Sequence, residues 1–301
     1  MRHPGLRTFQ VVLFWLCCSF GFGCGGNGKS ERADSGREGG NADVSPPSDV
    51  GARDDANTNM NMTSDRCAGP AGRTMRVLFV GNSQIDFWNL PRLVSSLSES
   101  ANPSCPRIIG EKHTRGGANL DEIWRETNLR ERIQNNRYDL VVLAESIDLV
   151  DHRPPFPELF FSVARQIVQV VRASGGEAML YATPYVETPE RRGFREMVEP
   201  QLQLGAELGL RVAAGGLAWL RAWQGMPSLD LYHEDRGHPG FVGSYLSGLV
   251  IWATIMGRSP VGLTNMPVTD CTDGPCTPIS QELARYLQGV AEESWRLDGR
   301  P

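Results

Sequence analysis

The stretch LYHEDRGHPG, residues 231–240, places Asp235 three residues ahead of His238 and follows the histidine with Pro239. A carboxylate at that spacing can orient and polarise an imidazole, but a D-x-x-H pair is short enough to arise by chance and needs a nucleophile elsewhere. Ser83, in VGNSQIDFWNLP, offers one. It stands two residues beyond Gly81, at the end of an apolar run and just ahead of a helical pattern. That position puts a hydroxyl at the mouth of a strand and an amide near a helix N-terminus, whose partial positive charge favours a developing oxyanion. It equally suits a plain N-cap serine, the commoner role after a strand.

Residues so far apart in the chain meet only if the elements between them bring them together. MRVLFV (75–80), RIIGEKHT (107–114), YDLVVLAE (138–145), EAMLYAT (177–183) and LRVAAGG (210–216) are short, apolar and β-rich, as buried parallel strands are. Between them run helical stripes: Leu90 to Leu97, then Leu159, Phe160, Val163, Ile167, Val170 and Val171, then Met197 to Leu208. The alternation predicts right-handed βαβ units and one α/β domain of about five strands, covered on both faces. Ligands of such sheets bind beyond the carboxyl ends of the strands, where Ser83 falls. FVGSYLSGLVIWATIMG is shorter than a membrane span and rich in Gly, Ser and Thr, so it reads as a core helix.

Three blocks carry a resemblance. RVLFVGNSQIDFWNLPRLVSSL resembles the first block of the SGNH (GDSL-like) hydrolases, in a variant with G-N-S in place of G-D-S. GGANLDEIW (116–124) resembles their second block, and LYHEDRGHPGFVGSYLSGLVIWATIMGRSPVG their last, where D-x-x-H-P opens the final helix. They stand in the family's order between Met75 and Gly262. The resemblance implies a three-layer α/β/α sandwich with a flavodoxin-like parallel sheet. No cofactor is expected, and the cysteines, with neither C-x-x-C nor nearby histidines, do not support a zinc site. It implies Ser83 as nucleophile, His238 as general base and Asp235 as the group that holds the imidazole's tautomer. For the oxyanion hole it implies the amides of Ser83 and Gly117, with Gly116 as alternate, and an Asn or Gln side chain after the third strand. That last donor is missing, because VVLAESIDLV has Ala144, Glu145, Ser146 and Ile147 there. Asn82, Asn119 and Ser146 are the candidate substitutes, and Glu145 would have to be protonated or turned away. The implied activity is hydrolysis of small esters, O-acetyl groups of carbohydrates among them; the alternative is a catalytically impaired SGNH-fold binding protein at the cell surface.

The ends of the chain point to export. Arg2, His3 and Arg7 precede the apolar VVLFWLCCSFGFG, the order of a secretory leader, and Cys24 after Gly23 resembles a bacterial lipobox, with Cys17, Cys18 or ordinary cleavage as alternatives. Residues 1–24 then form a signal peptide. Residues 25–66, with no aromatics and abundant Gly, Asn, Asp and Ser, form a disordered tether, and 67–301 form the domain. The expected destination is the cell envelope, with a lipid anchor as the membrane partner, or secretion. Four cysteines lie outside the leader, and in an oxidising compartment they fit two disulfides. CTDGPC makes Cys271 with Cys276 the easy local bridge and leaves Cys67 with Cys105, although spacing alone does not fix the connectivity. A net charge of −5 and no basic run give no footprint for nucleic acid. His233 and Glu234 read as solvated loop residues, and Trp88 and Trp124 as core edges rather than a sugar-binding wall. His113 and His152 have no partner at motif spacing.

Overall fold

The computed structural model describes residues 65–145, 156–184 and 194–299. The chain divides into two units, Met1–Asn57 and Thr58–Pro301, and every described residue belongs to the second. The expected leader with Cys24, nearly all of the tether, and Ser146 and His152 lie outside the described residues.

Five parallel strands form one sheet in the order β2-β1-β3-β4-β5. They are β1 (Thr74–Gly81), β2 (Arg107–Thr114), β3 (Leu140–Ala144), β4 (Glu177–Ala182) and β5 (Arg211–Ala214). This is the flavodoxin-like winding, and its order reverses between β1 and β3. The edge strand β2 carries Arg107, Glu111 and Lys112 and is half-exposed, whereas β3 is buried throughout.

The side-chain period of two splits each inner strand between two cores. Val77 and Phe79 of β1, Leu140 and Val142 of β3, and Met179 and Tyr181 of β4 join one. Leu78, Val80, Val141, Leu143 and Leu180 join the other. The first core is covered by α2 (Leu90–Glu99), α8 (Phe241–Met256) and α9 (Gln281–Asp298). The second is covered by α3 (Leu120–Glu126), α4 (Leu129–Asn135), α5 (Phe156–Ala173) and α6 (Phe194–Leu208). At the far end α7 (Gly215–Gly225) gives Trp219 to one core and Leu217 to the other.

Two features position the site. The four-residue helix α1 (Ser83–Asp86) leaves β1 directly, followed by a 3-10 turn, Phe87–Asn89. α8 is apolar all round and nearly every residue in it is buried between β5, α2, α7 and α9, so the loop entering it is anchored on a rigid element. No described helix is long and apolar enough to cross a membrane.

Candidate active site

Asn82 turns β1 into α1: in extended conformation, it accepts the Gln84 N–H on its side-chain oxygen at 3.1 Å. Ser83 is therefore the first helical residue, and the hydrogen-bond role of an N-cap serine falls to its neighbour. The chain then passes through left-handed backbone at Trp88 (φ 55°) and Asn89 (φ 41°). For a residue as bulky as Trp88 that costs about 1–3 kcal/mol and persists only where the surroundings over-determine it. The Trp88 amide donates to Asp273 Oδ2 at 2.7 Å and its indole Nε1 donates to the Pro239 carbonyl at 2.9 Å. The Thr269 hydroxyl donates to the Trp88 carbonyl.

Across the crevice, residues 231–240 fold back on themselves. Tyr232 and Pro239 form an antiparallel bridge, His233 N–H donates to the His238 carbonyl at 2.8 Å, and Gly240 N–H donates to the Leu231 carbonyl at 2.8 Å. A Cβ on Gly240 would lie 2.6 Å from the Tyr232 carbonyl oxygen, so only glycine lets the two arms close. At the tip, Asp235 Oδ1 accepts the amides of Gly237 and His238, each at 3.0 Å, and Oδ2 lies 2.7 Å from His238 Nδ1. Burial by itself would raise this carboxyl, but the bonds from the imidazole and the two amides outweigh it and hold Asp235 down at about 2. An ionised Asp235 keeps the proton on Nδ1. His238 Nε2 is then an acceptor, and it faces Ser83 Oγ at 2.9 Å.

Two residues that motif reasoning missed complete this contact. Phe87 stacks flat on the His238 ring, centroids 3.9 Å apart and planes 1° from parallel. Gln84 Nε2 donates to the Gly237 carbonyl at 2.9 Å, joining α1 to the Asp–His loop. The signal for Phe87 was its i+4 spacing from Ser83, which sets both side chains on one helical face. Gln84 carried no such signal, because its partner is a backbone carbonyl 153 residues away.

The second block forms the other wall. Arg115 N–H donates to the Gly81 carbonyl at 3.1 Å, and the chain turns through Gly116 and Gly117, both exposed, with Gly117 at φ +70°. The amides of Ser83 and Gly117 take no partner among the described residues, as oxyanion donors require. Of the substitute donors, Asn82 is buried and engaged at both ends, its Nδ2 donating to the Ala118 carbonyl at 3.3 Å, so it braces β1 against this loop. Asn119 caps α3 in a reciprocal box with Glu122, which commits its Oδ1 and leaves Nδ2 without a partner among the described residues. Ser146 lies outside the described residues. Glu145 is buried and accepts the Leu120 amide on Oε1 at 3.0 Å, so that oxygen is directed at the start of α3.

The remaining residues sort themselves by contact. Trp88 and Trp124 are buried core edges. His233 is more than a solvated loop residue: its Nε2 lies 3.1 Å from the Asp273 carbonyl and its ring meets Phe87 edge-on. Glu234 is exposed. His113 has a partner that spacing did not reveal, Thr127 Oγ1 at 2.8 Å, and burial together with nearby Arg132 lowers its pKa. Cys67 is bridged to Cys105, and Cys271 to Cys276. Among the described residues no cluster of His, Cys, Asp and Glu could hold a metal ion.

No protein-family model matches the chain, and no curated protein matches it. Solved structures do. A protein described as an SGNH hydrolase from Slackia heliotrinireducens superposes with a TM-score of 0.50 at 22% identity, covering 61% of this chain and 100% of its own. The acetyl xylan esterase AlAXEase gives 0.50 at 12% identity, covering 60% and 100%. A variant of an acetyl-xylooligosaccharide esterase from Geobacillus gives 0.50 at 16%, covering 63% and 97%. With the five-stranded parallel sheet, these likenesses show that the chain has the SGNH hydrolase fold.

Proposed function

We propose that this chain is an exported, lipid-anchored serine hydrolase that cleaves carboxylic esters, O-acetyl groups of carbohydrates among them, through an acyl-serine intermediate. The observation that carries the reading is the unbroken chain from Ser83 Oγ to His238 Nε2 at 2.9 Å and from His238 Nδ1 to Asp235 Oδ2 at 2.7 Å. A serine hydroxyl is a weak nucleophile until a base takes its proton, and this arrangement supplies the base with its acceptor nitrogen aimed at the hydroxyl. Ser83 Oγ attacks the acyl carbon while its proton passes to His238 Nε2, and Asp235 stabilises the imidazolium. The carbonyl oxygen gathers negative charge beside the Ser83 and Gly117 amides. Collapse breaks the ester C–O bond, and the departing alcohol takes the proton from Nε2. Water then repeats the sequence on the acyl-serine, giving up a proton to Nε2 and releasing the acid as Ser83 recovers its hydrogen.

The substrate class rests on the fold likeness to structures named as acetyl xylan and acetyl-xylooligosaccharide esterases. The anchor rests on the charge-then-apolar leader ending at Gly23–Cys24. Turnover of a chromogenic acetyl ester should be present in the parent chain and fall to background in Ser83→Ala; equal rates would remove Ser83 as nucleophile. Fatty-acid labelling in a bacterial host should be lost in Cys24→Ser, and label retained there would move the anchor elsewhere.

A further inference from the structure

The segment closed by the Cys271–Cys276 disulfide contains no helix or strand, yet it touches both halves of the site. Asp273 Oδ2 accepts the Trp88 amide at 2.7 Å, and the backbone carbonyl of the same residue lies 3.1 Å from His233 Nε2. Gly274 packs on the Trp88 indole so closely that a Cβ there would come within 2.9 Å of it. Just upstream, Asp270 Oδ2 accepts from Asn89 Nδ2 at 2.6 Å, and the Thr269 hydroxyl donates to the Trp88 carbonyl. We propose that this disulfide-closed loop is a clamp and that Asp273 is a positioning residue, which sets the Ser83 segment against the Asp235–His238 loop.

Asp273 is linked to both sides of the site. On one side, Trp88 holds left-handed backbone immediately after Phe87, and Phe87 stacks on the His238 ring at 3.9 Å. Releasing the Trp88 amide removes one of the contacts that keep that backbone in place, and Phe87 and α1 lie directly upstream. On the other side, a His233 that donates from Nε2 to the Asp273 carbonyl has Nδ1 free to accept, and Nδ1 lies 3.4 Å from the Asp235 amide nitrogen. One residue thus reaches the nucleophile segment through its carboxylate and the Asp–His loop through its carbonyl. An irregular loop could not hold both ends in register unaided. The cross-link supplies the restraint by removing conformations the open loop would sample.

This inference rests on the hydrolase reading, and the experiment separates the two. The full chain is compared with Asp273→Ala, Asp273→Asn, and a double variant, Cys271→Ser with Cys276→Ser, by ester kinetics, thermal unfolding and backbone hydrogen exchange. A misplacement near 1 Å costs up to about a hundredfold, so Asp273→Ala and the double variant should lose about ten- to a hundredfold in kcat. KM should stay close to the parent's; the unfolding temperature should fall slightly in Asp273→Ala, which loses one hydrogen bond, and further in the double variant, which loses a cross-link, so rates are compared well below either transition. Asp273→Asn keeps an oxygen acceptor for the Trp88 amide and should recover most of the rate. Exchange should accelerate in both 84–89 and 233–238. Acceleration confined to 269–276, or a rate loss that tracks unfolding and that asparagine fails to recover, overturns the clamp. A parent chain without ester turnover overturns the hydrolase reading, and the exchange pattern still decides the clamp.

Discussion

Asp235 accepts three hydrogen bonds although its side chain is 42% exposed. Its carboxyl is held at about 2, below an unperturbed value of about 3.9. A carboxyl depressed by folding stabilises the native state fully above its unfolded value and loses that contribution as pH falls through the folded one. The window therefore lies between about pH 4 and pH 2. Exposure keeps the effect small. In Asp235→Asn the unfolding midpoint should fall less steeply than in the parent as pH drops through that window; parallel slopes would show that the imidazole and amides do not hold this carboxyl. Ser83, Asp235 and His238 could be picked out as candidates because serine after a strand and D-x-x-H-P before a helix are local patterns. Gln84 and Asp273 could not, because each acts on a partner that only the folded chain brings near, and Phe87 showed only its spacing from Ser83.

The strands could be read as elements because a parallel strand buried on both faces is an unbroken apolar run, and β3, LVVLA, is the plainest. The helices α2, α5 and α6 showed their stripes in the same way. The 231–240 hairpin did not, since it has no alternation, and its closure depends on the Tyr232–Pro239 bridge and a glycine against a carbonyl. The α1 segment reads as a simple helix start, yet it is followed by left-handed backbone at Trp88 and Asn89, which asparagine tolerates and tryptophan does not favour. Just before it, Phe87 lies on the imidazole. Stacking of this kind contributes about 0.5–1.5 kcal/mol, so Phe87→Ala should lower kcat by up to about tenfold while Ser83 still reacts. An unchanged kcat would reduce the stack to packing.

At the scale of the whole molecule, the three layers and the position of the site beyond the strand ends followed from the alternation of periodicities, whereas the joins between distant parts did not. Cys67 with Cys105 is the exception, the pairing left once Cys271 is given to Cys276, a cross-link over 38 residues that ties the start of the domain to the entrance of β2. Bridges of this span contribute about 2–4 kcal/mol, so replacing both cysteines by alanine should lower unfolding stability by that amount with kcat retained in the folded fraction. A stability matching the parent's would show that β1–β2 pairing suffices. The proposed oxyanion donors stayed partly hidden because they are amides, which the sequence does not display, and Asn119 is the candidate substitute whose Nδ2 is uncommitted among the described residues. The proposed function turns on one hydroxyl, that of Ser83. Incubation of the full chain with a fluorophosphonate, followed by peptide mapping, tests it most directly: the account predicts a single adduct on Ser83 that disappears in His238→Ala, and a chain that stays unmodified, or is modified at another serine, would contradict it.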